Sequence, residues 1–346
     1  MSFVVKFFME RKRIAILGAG NWGTTLAIYF NSLKYPTNLW EPLPERREGL
    51  VHLRENLPYL PGFKIPFEIR ISSDLKETIE GAEVLILALP SHGMREMAKR
   101  IRNLNPMNPL TDSLAVSVSK GLEEGSRLRM SEVLKEELQE EWRIAVLSGP
   151  TIANEFVRGL PTTAVAAAAD PVVAEEVQTL FSSNRLRVYT SSDVTGVELG
   201  GALKNVIAIA SGISDGLQLG ANAKGALLTR GMAEITRLGI RMGAREETFS
   251  GLSGMGDLIT TTFSSHSRNR HLGMEIGKGK SLEEVLSEMV MVAEGVKTTK
   301  VAKELGEVYH VELPITEKVH EVLFGGKDPR IGLSELMERS LKSEIG

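Results

Sequence analysis

The chain has 346 residues, a formal net charge of -3 and no cysteine. That length exceeds the roughly 100–200 residues of a single core, so two domains and a cleft between them are expected. The charge offers no global attraction to nucleic acid or to an anionic membrane, and the lack of cysteine excludes disulfides, thiolate metal sites and cysteine nucleophiles while suiting a reducing cytoplasm.

The apolar opening, residues 1–8, is too short to span a bilayer and no small-residue cleavage site follows it. It reads as an extension, with Met9 as an alternative start. Later apolar runs are broken by charge before about 18 residues, which argues against membrane insertion. Ile14-Ala15-Ile16-Leu17 has the texture of a parallel strand buried on both faces, Asn21 to Leu33 carries helical spacing, and Thr37-Asn38-Leu39-Trp40 is a second strand. Similar strands are expected at 84–89, 114–118, 144–147, 164–167 and 187–190. Their alternation with helical or loop segments predicts an α/β fold built on a doubly wound Rossmann-type parallel sheet. Beyond residue 195 strand signals stop. Residues 197–220 read as one long Gly/Ala-rich helix, and 224–238, 281–292, 298–305 and 316–324 as further helices, so an all-α C-terminal domain is expected. The expected division is a dinucleotide-binding domain over 9–195 and a helical substrate and catalytic domain over 196–346.

Gly18-Ala19-Gly20-Asn21-Trp22-Gly23 follows a strand and opens a helix. In that setting the first glycine permits a tight turn, the second lets the backbone approach a pyrophosphate, and the third lets helix and strand pack closely. Glu41, roughly twenty residues on at the end of the second strand, is placed to bond an adenosine ribose and repel a 2′-phosphate. Arg46 and Arg47 follow and could turn back to receive that phosphate, or be solvated charges. His92 lies at a strand tip, but no carboxylate is spaced to orient it, and neither His266 nor His271 has further ligands at metal spacing; no metal is expected. Lys120 and Gly149 to Thr151 end two further strands, where a cation, bare backbone and a hydroxyl meet the cleft.

Lys204 lies among Gly200, Gly201, Ala202, Val206 and Ile207, where burial lowers an ammonium pKa toward the working range of an acid for carbonyl reduction. Asp257 stands in a glycine-rich loop able to supply its carboxylate partner. Ser267-Arg268-Asn269 sets a planar cation between short hydrogen-bonding residues, an arrangement suited to phosphate.

Six motifs occur in order: Gly18 to Thr24, Ser119 to Glu123, Ser148 to Glu155, Gly200 to Val206, Gly254 to Leu258 and Ser267 to Arg270. With them the chain from about Arg13 to Glu338 resembles the NAD(P)-dependent glycerol-3-phosphate dehydrogenases in their bacterial form. The resemblance implies reversible hydride transfer between NAD(P)H and dihydroxyacetone phosphate, giving glycerol 3-phosphate for phospholipid synthesis, in a cytoplasmic homodimer. It implies that Lys204 is the proton donor and acceptor, and that Lys120, Gly149, Thr151, Asp257, Ser267, Arg268 and Asn269 line the substrate site. By the same match Asn21, Trp22, Lys120, Ala153, Arg268, Val292 and Glu294 contact the dinucleotide. One departure concerns cofactor choice, for many bacterial relatives carry a basic residue soon after the second strand where this chain has Trp40-Glu41-Pro42. Two rivals stand beside this reading: a dehydrogenase of another small hydroxy acid, and a dinucleotide-sensing module without catalysis.

Overall fold

The computed structural model describes residues 11–104, 113–138, 142–341 and 343–344; the extension over residues 1–8 lies outside them. Strands β1 (Ile14–Leu17), β2 (Thr37–Trp40), β5 (Arg70–Ser72), β6 (Val84–Leu87), β7 (Leu114–Ser117), β8 (Arg143–Ser148), β9 (Thr162–Ala167) and β10 (Leu186–Ser191) form one sheet. Their order is β10-β9-β8-β7-β6-β1-β2-β5. All four residues of β1, β6 and β7 are buried, because helices cover both faces of the sheet. Strand β1 lies between β2 and β6, so the connections leaving it and its neighbour part company there and open a crevice at the carboxyl ends.

The sheet is not parallel throughout: β9 runs antiparallel to β8, though parallel to β10. A parallel return needs a crossover of a dozen or more residues, usually carried by a helix long enough to retrace the strand. Between β8 and β9 the only helix is Ala153–Val157, of 5 residues, and the chain turns back beside the strand it has just left. The separate hairpin of β3 (Glu55–Asn56) and β4 (Leu60–Lys64) carried no recognisable alternation in the sequence. It matters to the site, because Asn56 Nδ2 donates to the Ala19 carbonyl at 2.9 Å and to Thr24 Oγ1 at 2.8 Å, pinning the glycine loop.

After β10 every described element is helical. The axis is Val194–Gly216, a helix of 23 residues started by Asp193, whose Oδ1 accepts the Gly196 N–H at 2.9 Å. By length and composition this helix could cross a membrane, but its apolar span is buried inside the protein. It ends four residues before the expected Gly220, where Gln218 and Gly220 adopt φ of 59° and 81° and reverse the chain into Gly220–Arg241. The helix expected over 281–292 is likewise shorter, Leu282–Glu288, with a Ser281–Glu284 capping box at its start.

Helix Arg268–Gly277 crosses Val194–Gly216 at backbone contact. A methyl group on Gly212 would lie 2.0 Å from the Arg270 carbonyl oxygen, and one on Gly273 would lie 2.0 Å from that of Ile209. Glycines four apart on each helix, Gly212 with Gly216 and Gly273 with Gly277, thus let the two approach, and the crossing fixes Arg268 relative to Lys204. Leu122 and Glu198 help tie the helical part to the sheet. Leu122, beyond β7, is buried in the helical core. The buried carboxylate of Glu198 accepts from Arg129 Nη1 at 2.7 Å and from the Ser131 N–H at 2.8 Å.

Candidate active site

The carboxyl ends of the strands and the helical residues enclose a cleft of about 600 Å³. At its sheet side Gly18 has φ +111°, and a methyl group there would fall 2.6 Å from the Ala88 carbonyl oxygen. On Gly23 the same group would collide with the Gly18 carbonyl at 1.9 Å, whereas over Gly20 there is open space within 4 Å. The three glycines therefore do different jobs, and the open one leaves backbone accessible at the start of helix Asn21–Ser32. Asn21 Oδ1 is buried with no protein partner, although its residue lines the cleft. An extended ligand carrying a pyrophosphate fits this cradle. Trp22 beside it packs on Phe156 with ring centres 5.6 Å apart, and Ala153 lines the same wall.

Opposite the cradle, Lys204 is 5 % exposed, the expected burial. Its ammonium donates to Asp257 Oδ1 at 2.5 Å and to Thr261 Oγ1 at 2.6 Å. Burial, with the nearby charges of Lys120 and Arg268, brings the Lys204 pKa down to about 7 against the opposing pull of Asp257. A π-helical turn over Leu252–Gly256 delivers Asp257 to the start of helix Asp257–Phe263, which places Thr261 one turn later on the same face. Gly200 lets the Lys204 helix close on that turn, since a methyl group there would sit 2.7 Å from the Ser253 carbonyl oxygen.

Lys120 also reaches Asp257, donating to Oδ2 at 2.7 Å, to the Gly149 carbonyl at 2.7 Å and to Thr151 Oγ1 at 3.2 Å. Lys120, Gly149 and Thr151, expected at two strand ends, are thus one hydrogen-bonded group with the Lys204 pair. Gly149, at φ +128°, turns its carbonyl toward that lysine.

Ser267 caps helix Arg268–Gly277 by accepting the Arg270 N–H at 3.2 Å, and helix geometry leaves the Arg268 and Asn269 amides without partners inside the helix. Arg268 is exposed at the rim and donates from Nη1 to the Val292 carbonyl at 3.1 Å. Asn269 is buried and differently employed: its Nδ2 donates to Asn205 Oδ1 at 2.9 Å and its Oδ1 accepts the Gly295 N–H at 3.0 Å. Its side chain braces the wall, leaving the backbone amide as its group for an anion. Glu294 accepts at 2.6 Å from Ser91 Oγ and at 3.2 Å from the Ser91 N–H, joining helix Glu294–Tyr309 to the tip of β6. Val292, half exposed in the irregular stretch before that helix, lines the cleft.

His92 is exposed and lies off the cleft wall. Arg46 lines the cleft and Arg47 does not. Sequence reasoning passed over Thr261, Ser91 and Tyr59. The first stands four residues after Asp257, a helical spacing that could have revealed it. Ser91 depends on Glu294, 203 positions away, and Tyr59 on Arg46, which reaches it from the helix after β2.

A buried lysine paired with a carboxylate, facing a glycine cradle across one cleft, is an arrangement for proton transfer beside a dinucleotide. Residues 13–174 match the NAD-dependent glycerol-3-phosphate dehydrogenase N-terminus, and residues 193–334 match its C-terminus. The chain belongs to the glycerol-3-phosphate dehydrogenase family. It is 47 % identical over 335 residues to a glycerol-3-phosphate dehydrogenase [NAD(P)+] of Pelotomaculum thermopropionicum, covering 96 % of this chain and 95 % of that one. With the protein of the same name from Syntrophotalea carbinolica it shares 48 % over 334 residues, covering 96 % and 99 %. The crystal structure of the Coxiella burnetii glycerol-3-phosphate dehydrogenase superposes with a TM-score of 0.90 at 36 % identity, covering 95 % of this chain and 99 % of that one.

Proposed function

We propose that Lys204 is the group that passes a proton to and from the substrate oxygen in this NAD(P)-dependent oxidoreductase, which interconverts dihydroxyacetone phosphate and glycerol 3-phosphate. The observation carrying this assignment is its burial at 5 % exposure with the ammonium held by Asp257 and Thr261 at the cleft wall. When bound, the nicotinamide cofactor supplies the hydride to the ketone carbon or accepts it from the alcohol. Lys204 donates its proton to the ketone oxygen as negative charge develops there, and takes it back in the reverse direction. Lys120 adds a second positive charge beside that oxygen, and Asp257 orients both ammonium groups without itself reacting.

The substrate phosphate is assigned to the start of helix Arg268–Gly277, where the amides of Arg268 and Asn269 and the Arg268 guanidinium combine. The dinucleotide is assigned to the cradle of Gly18, Gly20, Asn21, Trp22 and Gly23, with Ala153, Val292 and Glu294 along its path. We also infer a cytoplasmic homodimer supplying glycerol 3-phosphate for phospholipid synthesis, which light scattering on the purified chain tests for its oligomeric part. Initial rates with dihydroxyacetone phosphate and each reduced nicotinamide, beside phosphate-free keto acids, test the whole. Turnover is expected with the phosphorylated ketone alone; faster turnover of a keto acid would overturn the assignment of the phosphate site.

A further inference from the structure

At the carboxyl end of β2 the cleft wall carries a group of side chains that neither the glycine cradle nor the proton-transfer pair uses. Glu41 is 2 % exposed. Its Oε1 accepts the Leu43 N–H at 3.1 Å, and its Oε2 lies 3.6 Å from Arg46 Nη2. Burial raises the Glu41 carboxyl above the usual range, against the lowering pull of the Leu43 amide and Arg46. The Arg46 guanidinium lies over the Tyr59 ring, 4.4 Å from its centre, and Tyr59 comes from the turn between β3 and β4. Glu41, Arg46 and Tyr59 all line the cleft.

A lone carboxylate at this strand end would accept a ribose 2′-hydroxyl and repel a 2′-phosphate. Here a cation on the same wall balances that carboxylate. The separation of 3.6 Å exceeds a hydrogen bond, so the pairing leaves the donors of the guanidinium edge unsaturated. Stacking on Tyr59 fixes the guanidinium plane, which reduces the freedom lost when an anion binds. Arg47 shares the charge but not the position.

We propose that Arg46, seated on Tyr59 and tethered by Glu41, reads the 2′-substituent of the adenosine ribose. A 2′-phosphate draws the guanidinium from Glu41 to itself. With a 2′-hydroxyl the Glu41–Arg46 pair stays intact and the carboxylate accepts the hydroxyl, so one wall serves both NAD and NADP. The inference rests on the dinucleotide reading of the cleft and names the residue that discriminates within it.

The test is titration calorimetry of the full chain with 2′,5′-ADP and with 5′-AMP, fragments that differ in the 2′-phosphate. Arg46→Met is expected to weaken 2′,5′-ADP on the order of 10- to 100-fold, the range for losing hydrogen bonds to a charged group, while 5′-AMP changes less than about threefold. Glu41→Gln removes the competing anion and should tighten 2′,5′-ADP relative to 5′-AMP. Arg47→Met should leave that ratio at the parental value. Equal weakening of both fragments by Arg46→Met, or a selective loss in Arg47→Met, would overturn the proposal while leaving the cradle assignment standing. A parent chain that binds neither fragment would overturn the dinucleotide reading and this inference with it.

Discussion

The ammonium groups of Lys204 and Lys120 share one carboxylate: Asp257 accepts from Lys204 through Oδ1 at 2.5 Å and from Lys120 through Oδ2 at 2.7 Å. The two lysines come from different parts of the fold, one from the central helix and one from the loop after β7, so this carboxylate also ties the helical part of the site to the sheet. Two cations near one ketone oxygen raise its affinity for developing negative charge, and the charge of Lys120 makes Lys204 easier to deprotonate.

Removing the shared anion should therefore change chemistry as well as stability. In Asp257→Asn the pull that favours charged Lys204 is lost while burial and Lys120 remain, so its pKa falls below about 7. Breaking a buried pair by removing one partner typically costs about 3–5 kcal/mol. The expected result is a lowered thermal midpoint together with a pH optimum for ketone reduction displaced toward acid. A parental pH profile in a folded Asp257→Asn enzyme would show that Asp257 does not govern the proton on Lys204.

Arg268→Lys should not behave as a conservative change. The guanidinium stands at a helix start and spends one edge on the Val292 carbonyl at 3.1 Å, leaving the rest of its fork for a phosphate. An ammonium has no such fork. The Michaelis constant for dihydroxyacetone phosphate should rise about tenfold or more, a change on the order of 1.4 kcal/mol. Unchanged substrate kinetics in a folded variant would move the phosphate elsewhere.

The helix crossing gives a prediction away from any reacting atom. Gly273→Ala would place a methyl group 2.0 Å from the Ile209 carbonyl oxygen, and that neighbour is backbone, which cannot swing aside. The two helices must separate, at a cost in the range of overpacked cores, about 1–3 kcal/mol or more. Because one helix carries Lys204 and the other begins at Arg268, turnover per folded molecule should fall along with the thermal midpoint. A variant with the parental midpoint would refute this account of the crossing, while a destabilised one with full turnover would separate the crossing from the positioning of the site.

What could be read in the sequence was what short-range spacing encodes. Gly18, Gly20 and Gly23 sit where strand, turn and helix follow directly, and the buried surroundings of Lys204 show in its immediate neighbours. Strand direction was not legible, since Ala164 to Ala167 looks the same whichever way β9 runs, and the deciding feature is the 5-residue helix before it. The β3–β4 hairpin was missed because two and five residues are too few for an alternating pattern to stand out. Asn269 was recognised as a cleft residue, but only three-dimensional structure reveals that Asn205 and Gly295 engage its side chain. Nothing local marks the role of Ser91, because its partner Glu294 is 203 positions away.

The pH dependence of the reaction follows from Lys204 itself. Burial brings its pKa to about 7, and the two directions of the reaction need opposite protonation states. Ketone reduction requires the ammonium, so kcat/KM for dihydroxyacetone phosphate should hold below about pH 7 and fall as pH rises through that value. Alcohol oxidation requires the free amine, so kcat/KM for glycerol 3-phosphate should rise over the same interval. Lys204→Ala should abolish both limbs and slow turnover by about 10²–10⁴-fold, the usual cost of losing a positioned general acid, with NADH binding nearly unchanged because the glycine cradle is untouched. Lys204→Arg should fail as well, since arginine stays protonated and its larger fork would crowd Asp257 and Thr261. A purely structural lysine would give another pattern: both variants would melt earlier, yet each folded molecule would turn over at the parental rate with the parental pH profile. Thermal midpoints measured beside rates from pH 6 to 9 (roughly the span needed to bracket an amine titrating near 7) distinguish the two, and a stable Lys204→Ala enzyme that kept the parental rate and both limbs would remove Lys204 from the chemistry.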